Sequence, residues 1–230
     1  MKPVQTYPDV HTDHITSFLP LPNINPHHVL CTSGDCTLSI LDLRKTAAVA
    51  TSEDQEDEPL CSAFAGESTR ICLGTQSGFV TLWKNGEWLD HVDRIAPAER
   101  LRKGDEAPSV DCMVRVGDDV IVGAGDGNIR KLGFRPNQYR DVVGKCEEVV
   151  TCLASVPDGD DWNVEPLGEG WVVSGSGSKL EFWDTNESHD DAEEDDHDSS
   201  EDEKPKKKRK KSKKGPKSSG ASSAAFFADL

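Results

Sequence analysis

The stretches Ser33-Gly-Asp-Cys-Thr-Leu-Ser-Ile-Leu-Asp42, Thr75-Gln-Ser-Gly-Phe-Val-Thr-Leu-Trp-Lys84, Ala124-Gly-Asp-Gly-Asn-Ile-Arg-Lys-Leu-Gly133 and Ser174-Gly-Ser-Gly-Ser-Lys-Leu-Glu-Phe-Trp-Asp184 are one cassette written four times. An apolar strand leads into a Gly/Ser/Asp turn, a second apolar strand follows, and a Trp or a hydrophobic stand-in closes the unit before a polar step. Set in register, the fourth copy carries one extra residue. The Trp-equivalent positions Leu41, Trp83, Leu132 and Trp183 are 42, 49 and 51 residues apart. That spacing is close to the roughly 40–45-residue period of a four-stranded propeller blade, once loop insertions are allowed.

Around the cassettes, strands are expected at 29–32 and 37–41, at 60–64, 71–75 and 79–83, at 110–114, 120–123 and 128–132, and at 149–154, 171–174 and 179–183. The first unit opens with a half-buried strand after Asp13 and turns through a Pro/Asn-rich loop at 20–26. Outer strands are expected at 47–50, 88–92 and 140–143. Each short run is bounded by Gly, Asp or Ser, as an antiparallel meander with tight turns requires. Inner strands are nearly continuous apolar runs and outer ones are polar, which suits blades stacked face to face around a channel. One blade cannot bury both faces alone, so neighbours must stack. The reading is therefore all-β, a propeller of about four blades at roughly 11–58, 59–106, 107–148 and 149–186, with Trp83 and Trp183 between adjacent blades.

Composition locates the rest. Of the 230 residues 35% are hydrophobic, and almost none of these fall in 187–217. No stretch approaches the ~18 apolar residues of a membrane span, and the N-terminus lacks the apolar core of a secretory signal. The chain reads as a soluble intracellular protein. Seven cysteines form an odd set without a Cys-x-x-Cys pair, which fits buried free thiols better than zinc or a disulfide framework. The net charge is −16; residues 187–230 hold 12 acids and 10 bases, leaving 30 acids against 16 bases, or −14, in 1–186. An acidic body repels phosphate backbones over most of its surface, which assigns any weak RNA affinity to the tail.

That tail, 187–230, is expected to be disordered, because so few apolar residues cannot offset the entropy of ordering. Its acidic run at 190–203 precedes a basic cluster of Lys206, Lys207, Lys208, Arg209, Lys210, Lys211, Lys213 and Lys214. A cluster this dense reads as a nuclear import signal for an import carrier with acidic grooves. Ser199 and Ser200 each have an acidic residue three positions on, which suits an acid-directed kinase, and phosphate there would add about −1.5 to −2 charges apiece.

The cassettes resemble WD repeats, and the order of features narrows the resemblance. His11-Thr-Asp-His-Ile-Thr-Ser, Asp42-Leu-Arg44, Ser52-Glu-Asp-Gln-Glu-Asp57, Leu82-Trp-Lys-Asn-Gly-Glu-Trp88, the acidic-then-basic tail and Phe226-Phe-Ala-Asp-Leu230 are similar to the C-terminal half of the nucleolar WD repeat-containing protein 55 family, including its fungal members. The resemblance implies a non-enzymatic nuclear and nucleolar scaffold that supports ribosome production through rRNA synthesis or processing, with pre-ribosomal or nucleolar factors as partners and no cofactor or small-molecule substrate. It also implies a seven-bladed ring, of which four cassettes are present here. Either the propeller is incomplete, the favoured expectation, or residues 4–7 act as an outer strand closing a smaller ring against 179–183. The repeat's polar network is thin: its turn Asp matches Asp35 and Asp126 but is Ser77 in the second unit, and its blade-opening His matches only His11. The expected consequence is lower stability.

Other motifs fail. Gly123-Ala-Gly-Asp-Gly127 lacks the third dinucleotide-binding glycine and a following helix. The stretch 174–178 lacks the nucleophile-elbow pattern, and Asp158-Gly-Asp-Asp161 lacks calcium-loop spacing. His27-His28, His189 and His197 pair with no nucleophile. Two rival functions remain. Leu41-Asp42-Leu43-Arg44 looks like a degenerate Trp-Asp-x-Arg element, with Asp42 and Arg44 as contacts, of substrate adaptors for a cullin-type ubiquitin ligase. The other is RNA binding through the ten bases of the tail.

Overall fold

The computed structural model describes residues 3–66, 70–97, 106–156 and 170–186. Fifteen strands and no helix are found among them. β1 (Ile15–Pro20), β2 (His28–Ser33), β3 (Leu38–Asp42) and β4 (Ala48–Thr51) form one antiparallel sheet; β5 (Pro59–Ala65), β6 (Arg70–Thr75), β7 (Val80–Lys84) and β8 (Asp93–Ile95) form the second. β9 (Val110–Val116), β10 (Asp119–Ala124), β11 (Asn128–Phe134) and β12 (Asn137–Lys145) make the third, and β13 (Val150–Ser155), β14 (Trp171–Ser176) and β15 (Lys179–Asp184) the fourth. The inner strands β1, β5, β9 and β13 pack in succession, so the four sheets stand side by side as blades.

Two expected details move. The outer strand of the second blade is Asp93–Ile95 rather than 88–92, because the corner after Trp83 closes first on a Lys84–Glu87 bridge. The fourth cassette is one residue shorter, not longer: Ser176 pairs with Lys179 across a two-residue turn, and Trp171 to Ser176 lie opposite Asp184 to Lys179. Thus Ser176, not Ser174, occupies the place of Ser33. The other three turns hold three residues, and their last position needs a left-handed backbone. Gly78 (φ 81°) and Gly127 (φ 80°) supply it without a Cβ penalty, whereas Cys36 (φ 61°) adopts it at some cost in strain.

Apolar residues cluster at the seams. Leu30, Leu38 and Ile40 of the first blade meet Ile71, Leu73 and Trp83 of the second. Val80 and Leu82 meet Val120, Val122 and Leu132, and Ile121, Ile129 and Val143 meet Val150, Val172 and Trp183. Three Trp-equivalents therefore face the preceding blade, Trp83 and Leu132 fully buried and Trp183 in part; full burial of a side chain such as Leu132 contributes about 1.5–3 kcal/mol. Leu41, whose blade has no predecessor among the described residues, is only half-buried.

A smaller repeat locks the inner ends. Cys61 Sγ lies 3.2 Å from the Val110 carbonyl oxygen, and Cys112 Sγ 3.3 Å from that of Val150. Opposite them, a Cβ on Gly74 would come within 2.4 Å of Val110 Cγ1, and one on Gly123 within 2.5 Å of Val150 Cγ1. Each valine thus seats over a bare glycine of the preceding blade. Cys152 and Gly175 repeat the pair on the fourth blade, where no valine among the described residues covers them and Cys152 is exposed. Leu180 and Phe182 are also exposed, as are Ile15 and Phe18 on the first blade. Residues 4–7 add no strand to β15, whose sheet is β13-β14-β15 among the described residues; Tyr7 Oη donates to the Asp42 carbonyl (2.8 Å) and Gln5 reaches the Lys45 carbonyl, both on the first blade.

Candidate functional site

The turn at 33–37 is organised by Asp35. Its carboxylate accepts the backbone N–H groups of Thr12 (2.8 Å) and Thr37 (3.1 Å) and the Thr37 hydroxyl (2.7 Å), while His11 Nδ1 lies 3.2 Å away. His11 Nε2 reaches Ser39 Oγ at 2.8 Å. Burial alone would raise the Asp35 pKa, but these donors and the His11 charge outweigh it and bring the carboxyl to about 2. His11 and Asp35 thus meet as the repeat pattern implies, and they fix the turn.

The network is less thin than the sequence implies. In the third blade Asp126 accepts the Asn128 N–H (3.0 Å) and the Arg130 guanidinium (3.0 Å from Nη1), so one buried Arg130 stands where the first blade uses His11 and Ser39. Burial opposes the Asp126 charge, and the Arg130 and Asn128 hydrogen bonds more than offset it, leaving the pKa lowered. In the second blade Asp57 supplies the missing carboxylate, accepting the Ser77 N–H (3.0 Å) and hydroxyl. In the fourth, Ser176 Oγ donates to the Glu148 carbonyl at 2.8 Å. A fixed-position pattern misses Asp57 and Arg130, because each reaches the turn from a different place in the cassette.

Asp42 and Arg44 form a two-pronged fork. Arg44 Nε donates to Asp42 Oδ1 (2.9 Å) and Nη2 to Oδ2 (2.8 Å), and the Arg44 N–H also reaches Oδ1 (3.0 Å). The Asp42 side chain is 2% exposed and that of Arg44 57%. The Arg44 hydrogen bonds and charge hold the Asp42 carboxyl far below the usual carboxylate range. A guanidinium is thereby held at the corner after β3, anchored on one edge.

Trp83 is fully buried, with Nε1 donating to Thr81 Oγ1 at 3.0 Å, and Trp183 donates to Ser174 Oγ at 2.8 Å over a bare Gly144. Leu132 is fully buried. Five thiols are buried, and desolvation pushes Cys31 up to about 11 and Cys72 and Cys112 to about 12. Cys36 and Cys152 depart from the expected burial, the first in its turn and the second on the uncovered flank. No helix is long and apolar enough to cross a membrane, and no group of three or more His, Cys, Asp or Glu is placed to hold a metal, among the described residues. Lys206, Lys207, Lys208, Arg209, Lys210, Lys211, Lys213, Lys214, Ser199 and Ser200 lie outside the described residues.

Comparison with solved structures fits these blades to the RRP9 WD40 repeats with a TM-score of 0.59 at 14% identity, covering 76% of this chain and 49% of that one. The fold is a WD-repeat β-propeller. The chain is 34% identical over 186 residues to an uncharacterized WD repeat-containing protein of Schizosaccharomyces pombe (79% of this chain, 48% of the relative). It is 31% identical over 207 residues to WD repeat-containing protein jip5 of Botryotinia fuckeliana (79% and 44%). Its homologues are thus WD repeat-containing proteins, and the chain spans about half the length of the curated relatives it matches. No family model matches the chain.

Proposed function

We propose that this WD-repeat chain is a non-enzymatic scaffold of the nucleus and nucleolus that supports ribosome production, through rRNA synthesis or processing, by docking pre-ribosomal or nucleolar proteins. The observation that carries the reading is the joining of stacked blades, whose polar side chains are spent on fixing turns, to a tail with eight clustered Lys and Arg at 206–214. Rigid blades with loop-built rims are suited to holding partners, and a dense basic run is suited to an import carrier. The resemblance in residue order to the nucleolar family, down to Phe226-Phe-Ala-Asp-Leu230, supports the compartment. Deleting 204–217 from a fluorescent fusion is expected to abolish nuclear accumulation, and depleting the protein to make precursor rRNA accumulate. Unchanged precursor levels after depletion refute the ribosomal role, whatever the compartment.

A second reading, substrate adaptor of a cullin-type ubiquitin ligase, is favoured by the exposed, anchored Arg44. Arg44→Ala should release a ligase linker in co-purification if this reading holds.

A further inference from the structure

The body is strongly acidic overall, yet its cations are not spread evenly. Two adjoining cavities of about 550 and 460 Å³ open beside the end of β5, the start of β6, the β9–β10 turn and the β11–β12 turn, and between the end of β13, the start of β14 and the end of β15. They share Asp118 and Asp119 and so form one trough from the second blade to the fourth. Arg70, Arg115, Lys131, Arg135 and Arg140 line it, five of the twelve lysines and arginines among the described residues.

The cations are held in place. Asp119 binds Lys131 Nζ through one oxygen (3.0 Å) and Arg140 Nη1 through the other (3.4 Å), setting the two side chains next to each other. Arg140 lies flat on the bare backbone of Gly133, where a Cβ would fall 1.9 Å from its Nε. Arg115 Nε donates to the Gly117 carbonyl at 2.7 Å. Phe134, half-buried and packed in part against the core, lines the first cavity, and Trp171, also half-buried, lines the second.

We propose that this trough binds single-stranded nucleic acid, with Arg70, Lys131 and Arg140 on phosphates and Phe134 and Trp171 as stacking platforms for unpaired bases. Cations interleaved with aromatic faces are the arrangement that a flexible strand needs, and pinned arginines lose little freedom when they fork onto phosphate. A carboxylate-rich protein segment would use the cations but gain nothing from the aromatic faces. That the strand is RNA rather than DNA rests on the ribosomal reading above; the trough itself does not.

The test uses the full chain with Lys206, Lys207, Lys208, Arg209, Lys210 and Lys211 changed to Gln in every variant, so that the tail does not dominate. Fluorescence anisotropy follows labelled 20-mers of single-stranded RNA, single-stranded DNA and duplex RNA, and a polyglutamate peptide. Arg70→Glu with Arg140→Glu should weaken single-strand binding at least about tenfold and flatten the salt dependence by about 0.7 per lost phosphate contact. Trp171→Ala should weaken it about tenfold with the salt slope unchanged, and Gly133→Val, which displaces Arg140 without changing charge, should weaken it too. If the charge reversals do not fold, judged by melting, Arg70→Gln with Arg140→Gln replaces them. Single-strand affinity that is absent, or indifferent to all these changes, overturns the proposal. So does polyglutamate binding without RNA binding, which would assign the trough to an acidic protein segment. Equal binding of DNA would leave the trough standing and remove its link to RNA, and none of these outcomes depends on precursor rRNA levels in cells.

Discussion

Replacing Trp83 by alanine tests whether sideways contact between blades supplies the stability of this protein. The indole is fully buried between Leu30, Leu38 and Ile40 of one blade and Ile71 and Leu73 of its own, and its Nε1–H is satisfied by Thr81. An indole of about 200 Å² at about 25 cal/mol per Å² corresponds to roughly 5 kcal/mol, and Trp truncations in cores cost about 3–5 kcal/mol once partial collapse is allowed. We expect about 4 kcal/mol, which at about 2–4 °C per kcal/mol for a body of this size lowers the melting midpoint by roughly 8–16 °C. Blades are coupled to nearest neighbours, so the first blade should loosen before the rest and broaden the transition. Urea and thermal unfolding followed by near-ultraviolet circular dichroism measure both effects, with Phe18→Ala, at a 63% exposed site, as a control expected within about 0.5 kcal/mol. A midpoint shift under 3 °C for Trp83→Ala, or an equal shift for the control, would refute seam packing as the source of stability.

Gly123→Val drives a side chain into Val150 and Cys112 at the inner seam, and should destabilise by about 1–3 kcal/mol, as overpacking does, whereas Gly175→Val, facing the uncovered flank, should cost less in the same urea titration. Arg130→Met leaves the Asp126 carboxylate without its main partner and should cost about 1–3 kcal/mol; Asp57→Ala should cost about 1 kcal/mol if it replaces the missing turn Asp. Native chain treated with a thiol reagent at pH 8 should modify exposed Cys152 first and half-buried Cys36 more slowly, because burial and the nearby carboxylates raise the Cys36 thiol; the other five should react only on unfolding, because burial both blocks access and keeps thiols such as Cys72 and Cys112 protonated. The Asp35 carboxyl is lowered to about 2 in the folded chain from about 4 unfolded, so its contribution is full above pH 4 and lost as pH falls from 4 to 2. Asp35→Asn should flatten the stability curve across that window, which acid titration of the melting midpoint reads directly.

The blades were legible because period and alternation are properties of neighbours in the chain. Apolar runs such as 71–75 and 120–123 are bounded by turn residues, and the positions of Trp83, Leu132 and Trp183 follow from counting. What the sequence hid depends on who faces whom across a seam. Nothing in the chain around Gly74 and Gly123 marks them as seats for Val110 and Val150, which come from the next blade. Asp57 and Arg130 meet their turns only through the fold, from positions that the repeat's turn-Asp and blade-opening His do not occupy. The same cause concealed the trough, since Arg70, Lys131 and Arg140 come from three strands in two blades and Asp119 gathers only the last two.

The uncovered Cys152–Gly175 pair carries this one step further. Val110 and Val150 pair with the residues that follow the equivalent glycines, and on the first blade that place in the strand register is taken by Ile15, paired with Ser33 as Val150 is with Ser176. Ile15 is 41% exposed. The stack therefore presents a β-branched knob on one flank and an empty glycine hole on the other, the two halves of the seam used at Gly74 and Gly123. Two of the three seams use this pair, while at the other Pro59 takes the valine's register place; a neighbour that completes the ring fits these flanks best when it offers a small-residue hole to Ile15 and a β-branched side chain to Gly175. If that holds, Gly175→Val should impair pairing with any such neighbour while leaving the three seams already formed at their native stability.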